Sequence, residues 1–343
     1  MKPDLAPVPE YVGVDRARFD REIVPARRPA VLRGLVADWP IVRAATTSDE
    51  ALAHYLRERA TDEAGEAWFG DPSISGRFGF NEGLNGHNHE RKRATVAQLL
   101  DLLIRQKGDG SPHGIYAGAL PVRKHVPALL GDNVMPLLAA DRSMLVSLWL
   151  GNRTKTAAHW DLPQNLACVV AGRRRFTLFP TEAVAHLYVG PIDFTLAGQP
   201  SSLADVEEPD FERFPRLRQA FEEASVAELG PGDVLYLPSL WWHAVTSLDE
   251  VGALVNYWWR DGAERTISPQ YALLLAVLTM QELPERERAA WRSMFDHYVF
   301  RDHGDPAAHL PPGARGILGA RNAELIAGMK AYLAKALTPR ERR

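Results

Sequence analysis

Between residues 144 and 260 the chain breaks into short β-type runs: LVSLWL, QNLACVVAG, RRFTLFP, SVAEL, DVLYLP, HAVTSL and GALVNYWW. Each is separated from the next by Gly, Pro, Asn or another turn former. Runs of this length, evenly spaced and rich in β-branched and aromatic residues, read as strands rather than helices. A series of short strands buries a core by facing sheet on sheet or by closing into a barrel. The expected fold class is therefore a mostly β core, a sandwich or barrel of the jelly-roll or cupin kind.

The flanks read differently. The first 14 residues are Pro-rich and polar, an extended arm. A short helix in FDREIV, the β-type run PAVLRGLV and two amphipathic helices follow. Ser48 caps the first of these before ALAHYL, and Thr95 caps the second, VAQLLDLLIRQ. GEAWFGDPSISGRFGFNEGLNG, between them, reads as hairpin or loop. After Arg260, SPQYALLLAVLTMQEL, PERERAAWRSMFDHYVF and RNAELIAGMKAYLAKAL read as three helices. Within the β region, residues 181–225 form a loop-like insert with one short helical piece.

Composition excludes some function classes. The net charge of −3 gives no electrostatic reason to expect a nucleic-acid partner. The single cysteine, Cys168, sits in an apolar run, forms no internal disulfide and fits a reducing cytoplasm. No apolar stretch has the length of a membrane span, and the N-terminus lacks the apolar segment of a secretion signal.

The chemistry concentrates in TAAHWDLPQN. His159 and Asp161 flank Trp160, and strand alternation would aim both at one point. An imidazole and a carboxylate so placed are two parts of a 2-His-1-carboxylate site for Fe(II). The third ligand is read as His243, 84 residues later in PGDVLYLPSLWWHAV. A second H-x-D, His303 to Asp305, lies in a polar loop between helices and reads as solvated surface. In GRRRFTLFP, Arg173 and Arg175 share one strand face. Arg174 shares the other with Phe176 and Leu178, which makes it an inward cation in need of an anion. Gln164, Asn165 and Asn256 are amides in apolar strands, where amides hold specific hydrogen-bonding posts. Trp241, Trp242, Trp258 and Trp259 read as core and rim packing, since no basic residues interleave them.

Taken in order, TAAHWDLPQN, GRRRFTLFP, PDFERFP and GPGDVLYLPSLWWHAV resemble the cupin-type JmjC group of Fe(II)/2-oxoglutarate oxygenases. That group includes the asparaginyl hydroxylase of hypoxia-inducible factor. The likeness runs from PAVLRGLVADWP to NYWWRDG, about two thirds of the chain. It implies a double-stranded β-helix over 114–262, with an α/β flank at 1–113 and a C-terminal helical bundle at 263–343. It implies iron held by His159, Asp161 and His243, with 2-oxoglutarate as co-substrate. Thr156 and Tyr116 would meet the distal carboxylate, and Asn165 and Asn256 would lie near the metal and the proximal carboxylate. Arg174 stands where the asparaginyl hydroxylase has a lysine; it keeps the charge but is longer and planar.

The expected activity is thus that of a cytoplasmic Fe(II)- and 2-oxoglutarate-dependent oxygenase, a hydroxylase acting on a protein side chain or a small molecule. The alternatives are a non-catalytic metal- or ligand-binding cupin serving as sensor or scaffold, and Zn or Mn cupin chemistry without oxoglutarate. The apolar helix SPQYALLLAVLTM calls for cover, either by a second copy in a homodimer through the C-terminal helices, to which the resemblance also points, or by the barrel of its own chain.

Overall fold

The computed structural model describes residues 3–139, 142–261, 267–320 and 322–338. The chain divides into two compact units, 1–262 and 263–343. The junction at 262/263 expected from the sequence lies outside the described residues.

The first unit is built on two sheets. The six-stranded sheet runs β1 (Ala6–Pro7), β12 (Ser225–Leu229), β11 (Arg174–Phe179), β14 (Trp242–Ser247), β9 (Lys155–His159) and β5 (Arg77–Phe78). The nine-stranded sheet runs β2 (Glu10–Val12), β3 (Ala30–Arg33), β13 (Val234–Leu237), β10 (Gln164–Ala171), β15 (Gly252–Trp259), β8 (Leu145–Gly151), β7 (Gly114–Pro121), β4 (Gly65–Gly70) and β6 (His89–Ala94). The flanking strands β4 and β6 thus extend the same sheet as β7 and β8, and residue 113 marks no break in it.

Alternation explains how one strand serves two cores. In β10, Leu166, Cys168 and Val170 join the large cluster beneath the helices Pro40–Thr47, Asp49–Arg57 and Val96–Arg105. Ala167 and Val169 face the other way, toward the six-stranded sheet, and meet Phe176 and Leu178 of β11. A strand buried on both faces carries a continuous apolar run, which is how QNLACVVA reads. The outer face of the six-stranded sheet is covered by the insert: Phe179, Trp242 and Ala244 lie against Leu187, Leu217 and Phe221. The insert's helix is shorter than PDFERFPRLRQAFEEA suggests, spanning only Leu217–Glu222, because two prolines precede it.

The caps read from the sequence are made. The Ser48 hydroxyl accepts from the Ala51 N–H at 3.0 Å, and Thr95 and Gln98 form a reciprocal capping box. At the β10–β11 turn Gly172 sits at φ +63, where a Cβ would stand 2.7 Å from the Val251 carbonyl oxygen. Both the left-handed φ and the close backbone demand glycine, and this tight turn sets the register that points Arg174 inward.

In the second unit the helices Pro269–Met280, Glu285–Phe295 and Ala323–Leu337 are present, and none of their residues is buried. No described helix is long and apolar enough to cross a membrane.

Candidate metal centre

His159 is the last residue of β9 and pairs directly with His243 of β14. Their rings face each other with centroids 4.3 Å apart. The next pair in the ladder is Thr156 with Val245, so three steps on β9 match two on β14. That bulge adds one residue to β9 and lets Thr156 and His159, an odd number apart, share the interior face.

The reading that put His159 and Asp161 at the start of one strand needs correction. β9 ends at His159, β10 begins at Gln164, and Asp161 lies in the link between them. Strand alternation therefore does not place Asp161; the link's tethering does. The Leu240 N–H donates to the Asp161 carbonyl at 2.9 Å, and the Ser239 hydroxyl donates to the Leu162 carbonyl. The segment leading to His243 thus clamps the segment bearing Asp161. Asp161 Oδ2 ends 3.8 Å from His243 Nε2.

His159, Asp161 and His243 each offer a ligand atom within 4.8 Å of one another, and among the described residues they are the one such group. Both imidazoles are oriented from behind. Nδ1–H of His159 donates to the Ala157 carbonyl at 2.9 Å, and Nδ1–H of His243 to the Trp241 carbonyl at 3.0 Å. Each ring then presents Nε2 as a lone-pair donor, the arrangement that metal-binding histidines need. Burial, with the His159 ring in front of it, pushes His243 below its ordinary imidazole range, and the Asp161 carboxylate opposes that push. His243 is therefore neutral at neutral pH and competent as a ligand.

The interior between the sheets holds the other residues singled out from the sequence. Arg174 is 4% exposed, and its Nε has no hydrogen-bond partner. Among the described residues it forms no ion pair. Burial lowers its guanidinium pKa to about 10, and the neighbouring Tyr116 opposes that shift. Arg173 and Arg175 instead pair at the surface with Asp249, Glu228 and Glu207. Tyr116 on β7 is pushed up to about 12 by burial, while a hydrogen bond with Thr156 opposes the shift. Asn165 and Asn256 are buried, and each keeps one amide atom without a partner: Oδ1 of Asn165 and Nδ2 of Asn256. Gln164 goes elsewhere. Its Oε1 accepts from the Tyr236 hydroxyl at 2.5 Å, and its Nε2 donates to Asp261, so it closes a strand end on the outer face. His303 is exposed and outside the cluster.

Ser147 and Trp149 escaped sequence reading, and Trp258 was read as packing alone. Ser147 Oγ and Trp258 Nε1 are buried without partners, and the Trp149 Nε1–H donates to Asn256 Oδ1 at 2.7 Å. The signal for them was the parity of LVSLWL and NYWW, which sets Ser147, Trp149, Asn256 and Trp258 on one face. The interior between the sheets thus combines a cluster of two histidines and a carboxylate with a cation that forms no ion pair among the described residues, and with several unused polar groups. Buried polar atoms left unsatisfied in this number call for a ligand that satisfies them.

Comparison with known proteins agrees with the geometry. The Cupin-like domain family matches residues 16–265. The chain is 27% identical over 274 residues to "Lysine-specific demethylase JMJ31" of Arabidopsis thaliana, covering 71% of this chain and 48% of that one. It is 27% identical over 262 residues to "tRNA wybutosine-synthesizing protein 5" of Danio rerio, covering 74% of this chain and 75% of that one. It is 35% identical over 148 residues to human "HSPB1-associated protein 1", covering 42% and 30%. The chain thus spans about half the length of the Arabidopsis relative. These similarities point to the JmjC type at large rather than to the asparaginyl hydroxylase in particular.

Proposed function

The chain belongs to the cupin-like domain family of JmjC type, and from that premise we propose that it is an Fe(II)- and 2-oxoglutarate-dependent oxygenase that hydroxylates a protein side chain or a small molecule. The observation that carries the reading is Arg174, a buried guanidinium with no anionic partner among the described residues, in the same interior as His159, Asp161 and His243.

The donor set fits the metal. Two imidazoles and one carboxylate suit Fe(II) and leave coordination positions for ligands from outside the chain. The interior also fits a dicarboxylate, since Arg174 offers a fork of N–H donors that nothing in the described chain occupies. Bound iron, with oxoglutarate and O₂, would supply the oxidising chemistry for attack on a C–H bond. The chain's own part is binding and orientation. His159, Asp161 and His243 would hold the metal, with both histidine tautomers fixed by backbone carbonyls. Arg174 would neutralise the distal carboxylate, with the Thr156 and Tyr116 hydroxyls as further donors. Asn165 and Asn256 would serve the metal-side end. Phe176, Leu178 and Leu254 line the same interior and limit water there.

Relatives are named for lysine-specific demethylation and for wybutosine synthesis on tRNA. The near-neutral net charge of −3 favours a protein side chain or small molecule here over a nucleic acid. Arginine in the lysine position favours one second reading, a non-catalytic cupin that senses a ligand. One assay separates the two. Iron-loaded protein in air with oxoglutarate is expected to release succinate above a metal-free control, even without substrate. Binding without succinate would indicate the sensor, and neither binding nor succinate would sink both in favour of other cupin chemistry.

We propose further that two copies associate through the C-terminal helices. Tyr271, Leu278, Trp291 and Tyr332 are 64%, 74%, 49% and 76% exposed, and no helical residue of this unit is buried. An apolar surface of this kind is stable in water only when covered. Light scattering at micromolar concentration is expected to give the mass of a dimer; a monomer mass removes the proposal.

A further inference from the structure

We propose that Trp149 is a positioning residue that fixes the Asn256 amide, so that the Asn256 NH₂ is presented to the oxo-acid end of bound oxoglutarate. The inference rests on the oxygenase reading and deepens it.

An asparagine side chain is nearly symmetric in shape, and only its partners decide which end is oxygen. The indole N–H is a donor with no acceptor capacity. Trp149 Nε1 lies 2.7 Å from Asn256, so the atom it faces must be Oδ1. With the oxygen spent on Trp149, the amide has only donors left, and Nδ2 is buried with no partner among the described residues. Asn165 Oδ1 is likewise unpartnered, so these two amides do not satisfy each other. An unspent buried donor is costly alone and strong once it meets an anionic oxygen.

The indole itself is immobilised on several sides. Trp149 stands opposite Leu254, and Asn256 opposite Ser147, so Trp149 and Asn256 are diagonal neighbours on one face of the β8–β15 pair. The ring is flanked by Tyr116 at 5.7 Å and by Trp258, edge-on, at 5.8 Å between centroids. Gly118 leaves the space for it: a Cβ there would lie 2.8 Å from Trp149 Cζ3 and 3.0 Å from Tyr116 Cε1. The register shift in β7 between Ala117 and Leu120 brings that glycine beneath the ring. The same indole therefore supports Tyr116, on the distal-carboxylate side, and Asn256. Its polar role is separable from its bulk, since phenylalanine keeps a ring and removes only the N–H.

The test is oxoglutarate affinity by calorimetry on oxygen-free, Fe(II)-loaded protein, for wild type, Trp149→Phe, Asn256→Ala and the double variant. Trp149→Phe is expected to weaken binding roughly three- to tenfold, the effect of one buried hydrogen bond. Asn256→Ala is expected to lose at least as much, and the double variant no more than Asn256→Ala, because Trp149 acts through the amide. Fe(II) affinity should be the same in all four. Asn256→Asp keeps an acceptor for the indole but replaces the donor, and is expected to bind more weakly than Trp149→Phe. Wild-type affinity in Trp149→Phe, additive losses in the double variant, or full binding by Asn256→Asp would each overturn the inference while leaving the oxygenase reading intact. Failure of the wild type to bind oxoglutarate would overturn both.

Discussion

Asp161→Ala and His159→Ala are each expected to lose Fe(II) binding, with affinity falling by more than about a hundredfold, since even partners behind the ligands are worth ten- to a hundredfold. The three groups meet within 4.8 Å, and removing one leaves two donors, too few to hold a divalent ion against water. The two losses differ in kind. His243 is held neutral by burial and by its His159 neighbour, so Asp161 supplies the negative charge that the cluster offers to a cation. Asp161→Asn, which keeps the shape, should therefore also be severe, whereas His303→Ala, at an exposed position, should change nothing. Anaerobic titration with Fe(II) measures all four, and wild-type affinity in Asp161→Ala or His159→Ala would refute the assignment.

Arg174→Ala is expected to weaken 2-oxoglutarate binding by about ten- to a hundredfold and to leave iron binding almost untouched. A charge-assisted pair contributes on the order of 1.5–3 kcal/mol, which is that range of affinity. The geometry argues for the upper part of it. Arg174 is buried and forms no ion pair among the described residues, so no other described carboxylate competes for its donors and little solvent screens them. Arg174→Lys should be milder, because a charge remains, although the fork is lost and the reach is shorter. Arg173→Ala is the control, since that side chain is spent at the surface on Asp249. Calorimetry on the metal-loaded, oxygen-free protein reads the three variants, and equal losses at Arg173 and Arg174 would contradict the register of β11.

Much of this was legible in the sequence because alternation is a strong code wherever a strand is buried on both faces. RRRFTL divides into an inward Arg174, Phe176 and Leu178 and an outward Arg173 and Arg175 by parity alone, and that is where the structure puts them. The caps at Ser48 and Thr95 were legible for a similar reason, since a cap is a local bond between residues three apart. What was not legible depended on long-range contacts. The link carrying Asp161 is off the strand, and its position comes from bonds to residues 239 and 240, which no local pattern announces. Trp149 drew no reading from the sequence, because its hydrogen bond is to a residue 107 positions away. The continuity of β4 and β6 with the nine-stranded sheet was hidden too, since the edge strand β6, HERKRA, is exposed over most of its length and carries a weak pattern.

The bulge in β9 has a consequence for how this stretch tolerates change. A strand keeps a two-step phase, and every residue's facing follows from counting in twos. The extra residue between Thr156 and His159 resets that count once. The turn at 152–154 is fixed as well, since Asn152 and Thr154 are buried and Asn152 bonds the Ile115 N–H and the His113 carbonyl. In regular alternation without the bulge, Thr156 and His159, three apart, would face opposite ways; one further residue inserted between them would likewise break the match to Val245 and His243. The spacing T-x-x-H is therefore a geometric quantity rather than a matter of side-chain chemistry. Of the two alanines within it, Ala158 is fully buried with Phe179, Leu187 and Trp242, so a larger side chain there would overpack that core.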